Sequence, residues 1–276
     1  MAYRESCGVP ADTLTVPCDG VNLAVSREGA GPAVVCLHAI GHGGGDFEAF
    51  AAALKQRVEV IRVDWPGQGR SGDDHQPPSA QRYAELLVAL LDQLNVVNPV
   101  LVGNSIGAAA ALIYASRRPV RALVLCDAGG LVPVNGMVRT ASFLFSQFFS
   151  SGERGAGWFA RAYAFYYRYV VLPAPAAAVQ RQSIIAAGPE CAALLRMAWQ
   201  SFAKPQADLR KLAAQLQLPV WCVWGRADRV IPLWLCRPAI ARMPQASLST
   251  FAGGHAAFLE QPDWFAAEFN RFLDRL

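Results

Sequence analysis

At 276 residues the chain is long enough for one large core, or for a core that carries a small inserted unit. Just over half of its residues are apolar and its mean hydropathy is positive, yet no uninterrupted apolar run reaches the length of a membrane span. The net charge of +4 comes without the basic run of a nucleic-acid binder. Its seven cysteines show no C-x-x-C or metal-type spacing, which argues against a disulfide framework and a thiolate metal centre.

Strand and helix signals alternate along the chain. Thr13–Pro17 and Asn22–Arg27 read as a hairpin around Cys18-Asp19-Gly20. Ala33–Leu37, Val58–Val63, Pro99–Val102 and Ala122–Cys126 read as short apolar strands, and Phe47–Gln56, Ser79–Leu94 and Ile106–Ser116 as the helices between them. The pattern resumes with strand Pro219–Trp224, helix Leu233–Met243, strand Ala246–Phe251 and helix Ala256–Leu276. Such alternation predicts an α/β fold, a mostly parallel sheet flanked by helices on both faces. The interruption from about Leu131 to Leu212 holds no convincing strand. It reads as helices separated by Gly152, Gly155, Gly157, Pro173, Pro175, Gly188 and Pro189. Aromatic residues crowd it between Phe143 and Tyr169. Most are expected to glue helices together, and a minority to line an apolar pocket.

The stretch Pro99-Val100-Leu101-Val102-Gly103-Asn104-Ser105-Ile106-Gly107 is a strand running into a G-x-S-x-G turn, with an alanine-rich helix behind it. A serine pushed out on so tight a turn needs small neighbours two residues to either side, because the flanking backbones nearly touch. The helix then aims its positive N-terminal end at that serine. Ser105 is therefore the candidate nucleophile, and it needs a base. Of His38, His42, His75 and His255, only His255 lies downstream, as the order serine, acid, histidine demands. Asp228 follows the strand Pro219–Trp224 and is the leading candidate acid, because ligand chemistry in open α/β sheets gathers at the carboxyl ends of strands. Asp127 ends Ala122–Cys126 in the same way and is its rival.

These motifs together resemble the α/β-hydrolase superfamily over nearly the whole chain. His38-Ala39-Ile40-Gly41 is similar to the family's His-Gly loop, and Asp64-Trp65-Pro66-Gly67-Gln68-Gly69-Arg70-Ser71 to its D-x-x-G-x-G-x-S turn. Gly225-Arg226-Ala227-Asp228 is similar to its acid loop, and Gly254-His255 completes the set. The resemblance implies a core of residues 1–131 and 213–276, with residues 132–212 as a helical cap. It also implies an oxyanion hole made by the backbone N–H groups of Ile40 and Ile106. Ala39 departs from the usual glycine, and its Cβ narrows the backbone angles open to that loop.

Two stretches invite other readings. Gly67-Gln68-Gly69-Arg70-Ser71-Gly72 satisfies G-x-G-x-x-G, but Asp73-Asp74-His75-Gln76-Pro77-Pro78 follows where a dinucleotide site needs a helix to open. No cofactor and no metal are expected. His42-Gly43-Gly44-Gly45-Asp46 reads as a flexible wall of the oxyanion loop, with Asp46 capping the next helix.

The expected activity is that of a serine hydrolase cleaving a carboxylic ester, or a related acyl bond, of a small or medium apolar substrate through an acyl-enzyme. The alternatives are a carbon–carbon bond hydrolase of aromatic catabolism, a cofactor-free haloperoxidase and a ligand-binding protein that retains the fold. The first resembles enzymes with a cap arginine, a role open to Arg181, and with a tryptophan after the catalytic histidine, where this chain has Ala256. No nucleic-acid partner and no membrane span are expected. Met1-Ala2-Tyr3-Arg4-Glu5-Ser6-Cys7 shows neither the basic start nor the apolar core of an export signal. Cys36, Cys126 and Cys222 lie within apolar strands, so a cytoplasmic setting is expected.

Overall fold

The computed structural model describes residues 13–276; the N-terminal segment read for an export signal lies outside them. β1 (Thr13–Cys18) and β2 (Val21–Glu28) pair antiparallel across a two-residue turn. Asp19 and Gly20 both hold positive φ there, 45° and 83°, as a tight hairpin turn requires. β3 (Ala33–Leu37), β4 (Glu59–Val63), β5 (Val100–Asn104), β6 (Ala122–Cys126), β7 (Val220–Gly225) and β8 (Ala246–Phe251) complete one sheet in the order β1-β2-β4-β3-β5-β6-β7-β8. From β4 across to β8 every pairing is parallel. β5, β6 and β7 are buried along their whole length, which is why their sequences are continuous apolar runs rather than alternating ones.

The helices of the sheet layer are α1 (Glu48–Leu54), α2 (Ala80–Gln93), α3 (Ile106–Ala115), α8 (Leu233–Ile240), α9 (Ala257–Glu260) and α10 (Pro262–Leu273). Ser79 caps α2 by accepting the Arg82 N–H at 3.1 Å. In α3 every residue from Ile106 to Tyr114 is buried, and its four successive alanines keep that helix close to the sheet. The chain crosses from one side of β3 to the other between β4 and β5, so a crevice opens at the carboxyl ends of β3 and β5.

Between β6 and β7 lie α4 (Gly136–Glu153), α5 (Phe159–Tyr166), α6 (Ala178–Phe202) and α7 (Arg210–Ala213). A wide turn, Tyr167–Val171, prolongs α5. Several sequence expectations need correction here and in the core. Gly188-Pro189 does not separate one helix from the next, because α6 runs through both residues. Tyr163 of α5 packs so closely on Gly188 that a Cβ there would stand 2.2 Å from its ring. Burial of Ile184, Ala187, Ala192 and Leu195 outweighs the roughly 3 kcal/mol that an interior proline costs. The expected helix Phe47–Gln56 is a short 3-10 turn, Gly44–Phe47, followed by α1. The expected Ala256–Leu276 helix breaks at Gln261, whose extended φ of −142° suits the residue before Pro262.

Candidate active site

Ser105 joins β5 to α3 with φ 54° and ψ −115°, a conformation that L-residues adopt only under constraint. The flanking glycines are the constraint. A Cβ on Gly103 would meet the Ala108 backbone at 2.6 Å, and one on Gly107 would meet the Leu37 carbonyl oxygen at 2.3 Å. The Ser105 N–H donates to the Cys126 carbonyl at 3.1 Å, and its own carbonyl accepts from Ala109 and Gly129. The turn therefore holds the side chain at the crevice, in the wall of a cavity that Ile40, Ile106 and His255 also line. Ile106 opens α3, so its N–H lies ahead of the intrahelical ladder.

His255 stands on the loop after β8. Its Nδ1 donates to Asp228 Oδ2 at 2.9 Å, which leaves Nε2 as the basic nitrogen. Asp228 Oδ1 accepts the N–H groups of Val230 and Ile231 at 2.8 and 3.0 Å, locking the carboxylate that orients the imidazole. Asp127, at φ 46°, uses one oxygen to accept the Gly225 N–H at 2.8 Å; no hydrogen bond satisfies the other. Burial and the neighbouring Asp228 push the Asp127 carboxyl well above the usual carboxylate range.

The His255 loop is tied from three sides, through residues that the sequence reading missed. Asn104, beside the serine, donates its Nδ2 to the His255 carbonyl at 2.8 Å and to the Cys126 carbonyl at 3.1 Å. Buried Glu260 accepts the N–H groups of Gly254 at 2.8 Å and Ala174 at 3.1 Å. The His255 N–H donates to the Val171 carbonyl at 2.8 Å. Gly254 is obligatory, since a Cβ there would lie 2.3 Å from that same carbonyl oxygen. The sequence shows only an acid five positions after the histidine; the burial that gives Glu260 its role belongs to the fold.

The loop after β3 is equally pinned. His38 Nε2 accepts the Trp65 N–H at 2.9 Å, so Nδ1 carries the proton and donates to the Ala39 carbonyl at 2.6 Å. Burial lowers the His38 pKa and keeps the ring neutral. Gln68 accepts the Gly41 N–H at 2.6 Å. The glycine-rich turn serves Asp64, whose carboxylate accepts the amides of Gly44 at 2.6 Å and Arg70 at 3.0 Å. A Cβ on Gly69 would stand 2.3 Å from that carboxyl group.

Asp46 is not the helix cap that the sequence suggested. Its carboxylate is buried, with His42 Nδ1 at 2.5 Å and Gln180 Nε2 at 3.1 Å, while His42 Nε2 lies 3.2 Å from the Tyr167 hydroxyl. His42 takes the carboxylate first, so the 3-10 turn and α1 begin without a side-chain cap. The Gly43-Gly44-Gly45 stretch is thereby anchored at both ends.

Asp127, Asp228 and His255 are the one group of three His, Cys, Asp or Glu residues among the described residues whose donor atoms gather within 4.8 Å. His255 Nδ1 and both Asp228 oxygens already have hydrogen-bond partners.

The cavity has a volume of about 390 Å³. Its walls above the serine are mostly apolar, with Phe145, Phe149, Tyr166, Tyr167, Leu195 and Trp199 contributed by the helical insertion. Phe145 stacks on Trp199 with centroids 4.2 Å apart. Arg181 is absent from this wall, for its guanidinium donates to the carbonyls of Leu172 and Ala174. No helix among the described residues is long and apolar enough to cross a membrane.

A parallel sheet that presents a strained serine and a buried His–Asp pair at its strand ends defines a class of α/β enzyme. Residues 34–268 match the model of the alpha/beta hydrolase family, and the chain belongs to that family. It is 29% identical over 263 residues to a pimeloyl-(acyl-carrier protein) methyl ester esterase of Xanthomonas campestris, covering 90% of this chain and 97% of that one. Among solved structures it is similar to a thermophilic esterase from Thermogutta terrifontis, with TM-score 0.79, 21% identity and coverage of 96% and 99%. It is also similar to the enol-lactonase of Burkholderia xenovorans, with TM-score 0.78, 18% identity and coverage of 95% and 100%.

Proposed function

We propose that this chain is a carboxylic-ester hydrolase that works through Ser105, His255 and Asp228 on a small or medium apolar substrate. The observation that carries the reading is the strained Ser105 turn in the wall of the same cavity as His255, whose Nδ1 is bonded to Asp228 at 2.9 Å. The esterase relative from Xanthomonas campestris supports ester chemistry.

Ser105 Oγ attacks the ester carbonyl carbon while His255 Nε2 accepts its proton. The developing imidazolium is stabilised by Asp228. The N–H groups of Ile40 and Ile106 receive the oxyanion, and each such donor is worth about 10²–10³ in rate. His255 returns its proton to the leaving alcohol, and water then cleaves the acyl-enzyme by the same relay. Residues 132–212 act as a cap over the core that the other described residues, 13–131 and 213–276, form, and its apolar wall selects the acyl group. The side-chain hydroxyl, imidazole and carboxylate complete this cycle with no cofactor or metal.

A fluorophosphonate probe tests the assignment. Wild-type protein should be labelled and should hydrolyse p-nitrophenyl esters. Ser105→Ala should abolish both while keeping its thermal transition, since loss of a triad nucleophile costs on the order of 10⁶ in kcat. Labelling that survives in Ser105→Ala places the nucleophile elsewhere, and a wild-type protein that binds esters without turnover is a binding protein.

A further inference from the structure

Some aromatic residues of the helical insertion neither fill the core nor line the cavity. Trp158, Phe165 and Tyr169 are 53%, 62% and 60% exposed, and Arg161 and Arg168 beside them are exposed as well. At about 100° per residue these five positions fall within an arc of about 100° on α5 and its continuation. The buried side of the same segment carries Phe159, Tyr163 and Tyr167. Phe165 and Tyr169 pack on each other at the surface, with ring centroids 4.8 Å apart. Neither Arg161 nor Arg168 forms an ion pair among the described residues.

The charge around this face is one-sided. Residues 132–212 contain nine basic and three acidic residues, an excess greater than that of the whole chain, 25 basic over 21 acidic residues. Two of those acids, Glu153 and Asp208, are paired with Arg196 and Arg210. The arginines form no run in sequence, yet the fold sets two of them along one edge of an exposed aromatic face.

We propose that this face seats on a bilayer surface that bears anionic lipids. Trp and Tyr rings are at home at headgroup depth, where an apolar body meets a polar edge, and Phe165 adds apolar area below them. Arginine stems lie along that apolar surface while their guanidinium groups reach lipid phosphates. The site is separate from the cavity, since none of the five residues lines it. It holds whether or not the ester reading of that cavity does.

Co-sedimentation with vesicles tests it, using phosphatidylcholine alone and phosphatidylcholine mixed with phosphatidylglycerol. The protein should sediment with the mixed vesicles, weakly or not at all with the neutral ones, and less at high salt. Arg161→Gln and Arg168→Gln should each weaken binding about fivefold, and Phe165→Ser with Tyr169→Ser should remove most of it. Thermal transition and turnover of a water-soluble ester should stay unchanged in all of these variants. Equal sedimentation with both vesicle types, or full binding by the variants, overturns the proposal. So does concentration-dependent self-association that the Phe165/Tyr169 variant abolishes without any vesicle binding, because a second copy then covers the face. Retention by poly-glutamate but not by vesicles overturns it in favour of an acidic protein partner.

Discussion

Asp127 and Asp228 place carboxylate oxygens within 4.8 Å of each other beside the His255 imidazole, and their hydrogen-bond surroundings differ. Asp228 accepts three N–H groups, two from its own loop and one from His255. Asp127 accepts a single amide, and burial beside a second carboxylate favours its neutral form. Asp228 is thus fixed by three N–H groups to orient the imidazole, while burial favours the neutral form of its neighbour.

That division predicts unequal mutational effects. Asp228→Asn should lower kcat by roughly 10⁴, because the amide reverses the tautomer that His255 needs. Asp127→Asn should cost far less, since an amide reproduces a neutral acid and can still accept the Gly225 N–H. Steady-state kinetics on one soluble ester decide the point. A collapse in Asp127→Asn with Asp228→Asn spared would exchange the two roles.

Stability against pH should carry the same signature. An unfolded aspartate ionises near 3.9, and burial holds the Asp127 carboxyl well above that range. Its neutral form therefore contributes stability that is whole below about pH 4 and is lost as pH rises through the folded pKa. The Tm of the wild type should fall relative to that of Asp127→Asn as pH rises above about 4. Parallel Tm curves for the two proteins would show that Asp127 is ionised in the fold.

Much of this was legible in the sequence, and the failures share a cause. β3 and β6 have the bounds their apolar runs imply, because short buried strands between turn residues leave little choice of register. The Ser105 turn was legible for a local steric reason, the need for glycine at 103 and 107. Asn104 and Glu260 were not, since their partners lie on segments that only the finished sheet brings together; Asn104 and His255 are 151 residues apart in sequence. Nor did the sequence separate three fates of the insertion's aromatics. Phe159 packs inward, Phe145 lines the cavity and Phe165 faces out, on helices whose aromatics occur on more than one face.

Asn104 yields a prediction specific to its bridging position. Asn104→Ala removes the donor to two carbonyls, those of His255 and Cys126. A buried acceptor left unpaired costs about 1–3 kcal/mol, so Tm should drop by several degrees. The loosened His255 loop should lower kcat with KM nearly unchanged, the pattern of a positioning residue. A variant with lower Tm and wild-type kcat would leave Asn104 a purely structural role.

The cavity predicts how the acyl group is chosen. A volume of about 390 Å³ with mostly apolar walls has room for a chain of limited length, not an indefinite one. Each methylene that fits contributes about 0.8 kcal/mol, so kcat/KM should rise by up to roughly fourfold per carbon. It should then fall once the chain outgrows the space. Trp199, stacked on Phe145 in the wall, sets part of that limit. Trp199→Ala should move the optimum toward longer chains while leaving acetyl ester turnover close to that of the wild type. The measurement is kcat/KM for p-nitrophenyl esters from acetyl to decanoyl, below the concentration at which each forms micelles. A profile flat across that series, unchanged by Trp199→Ala, would mean that the insertion only shields the core and selectivity arises elsewhere.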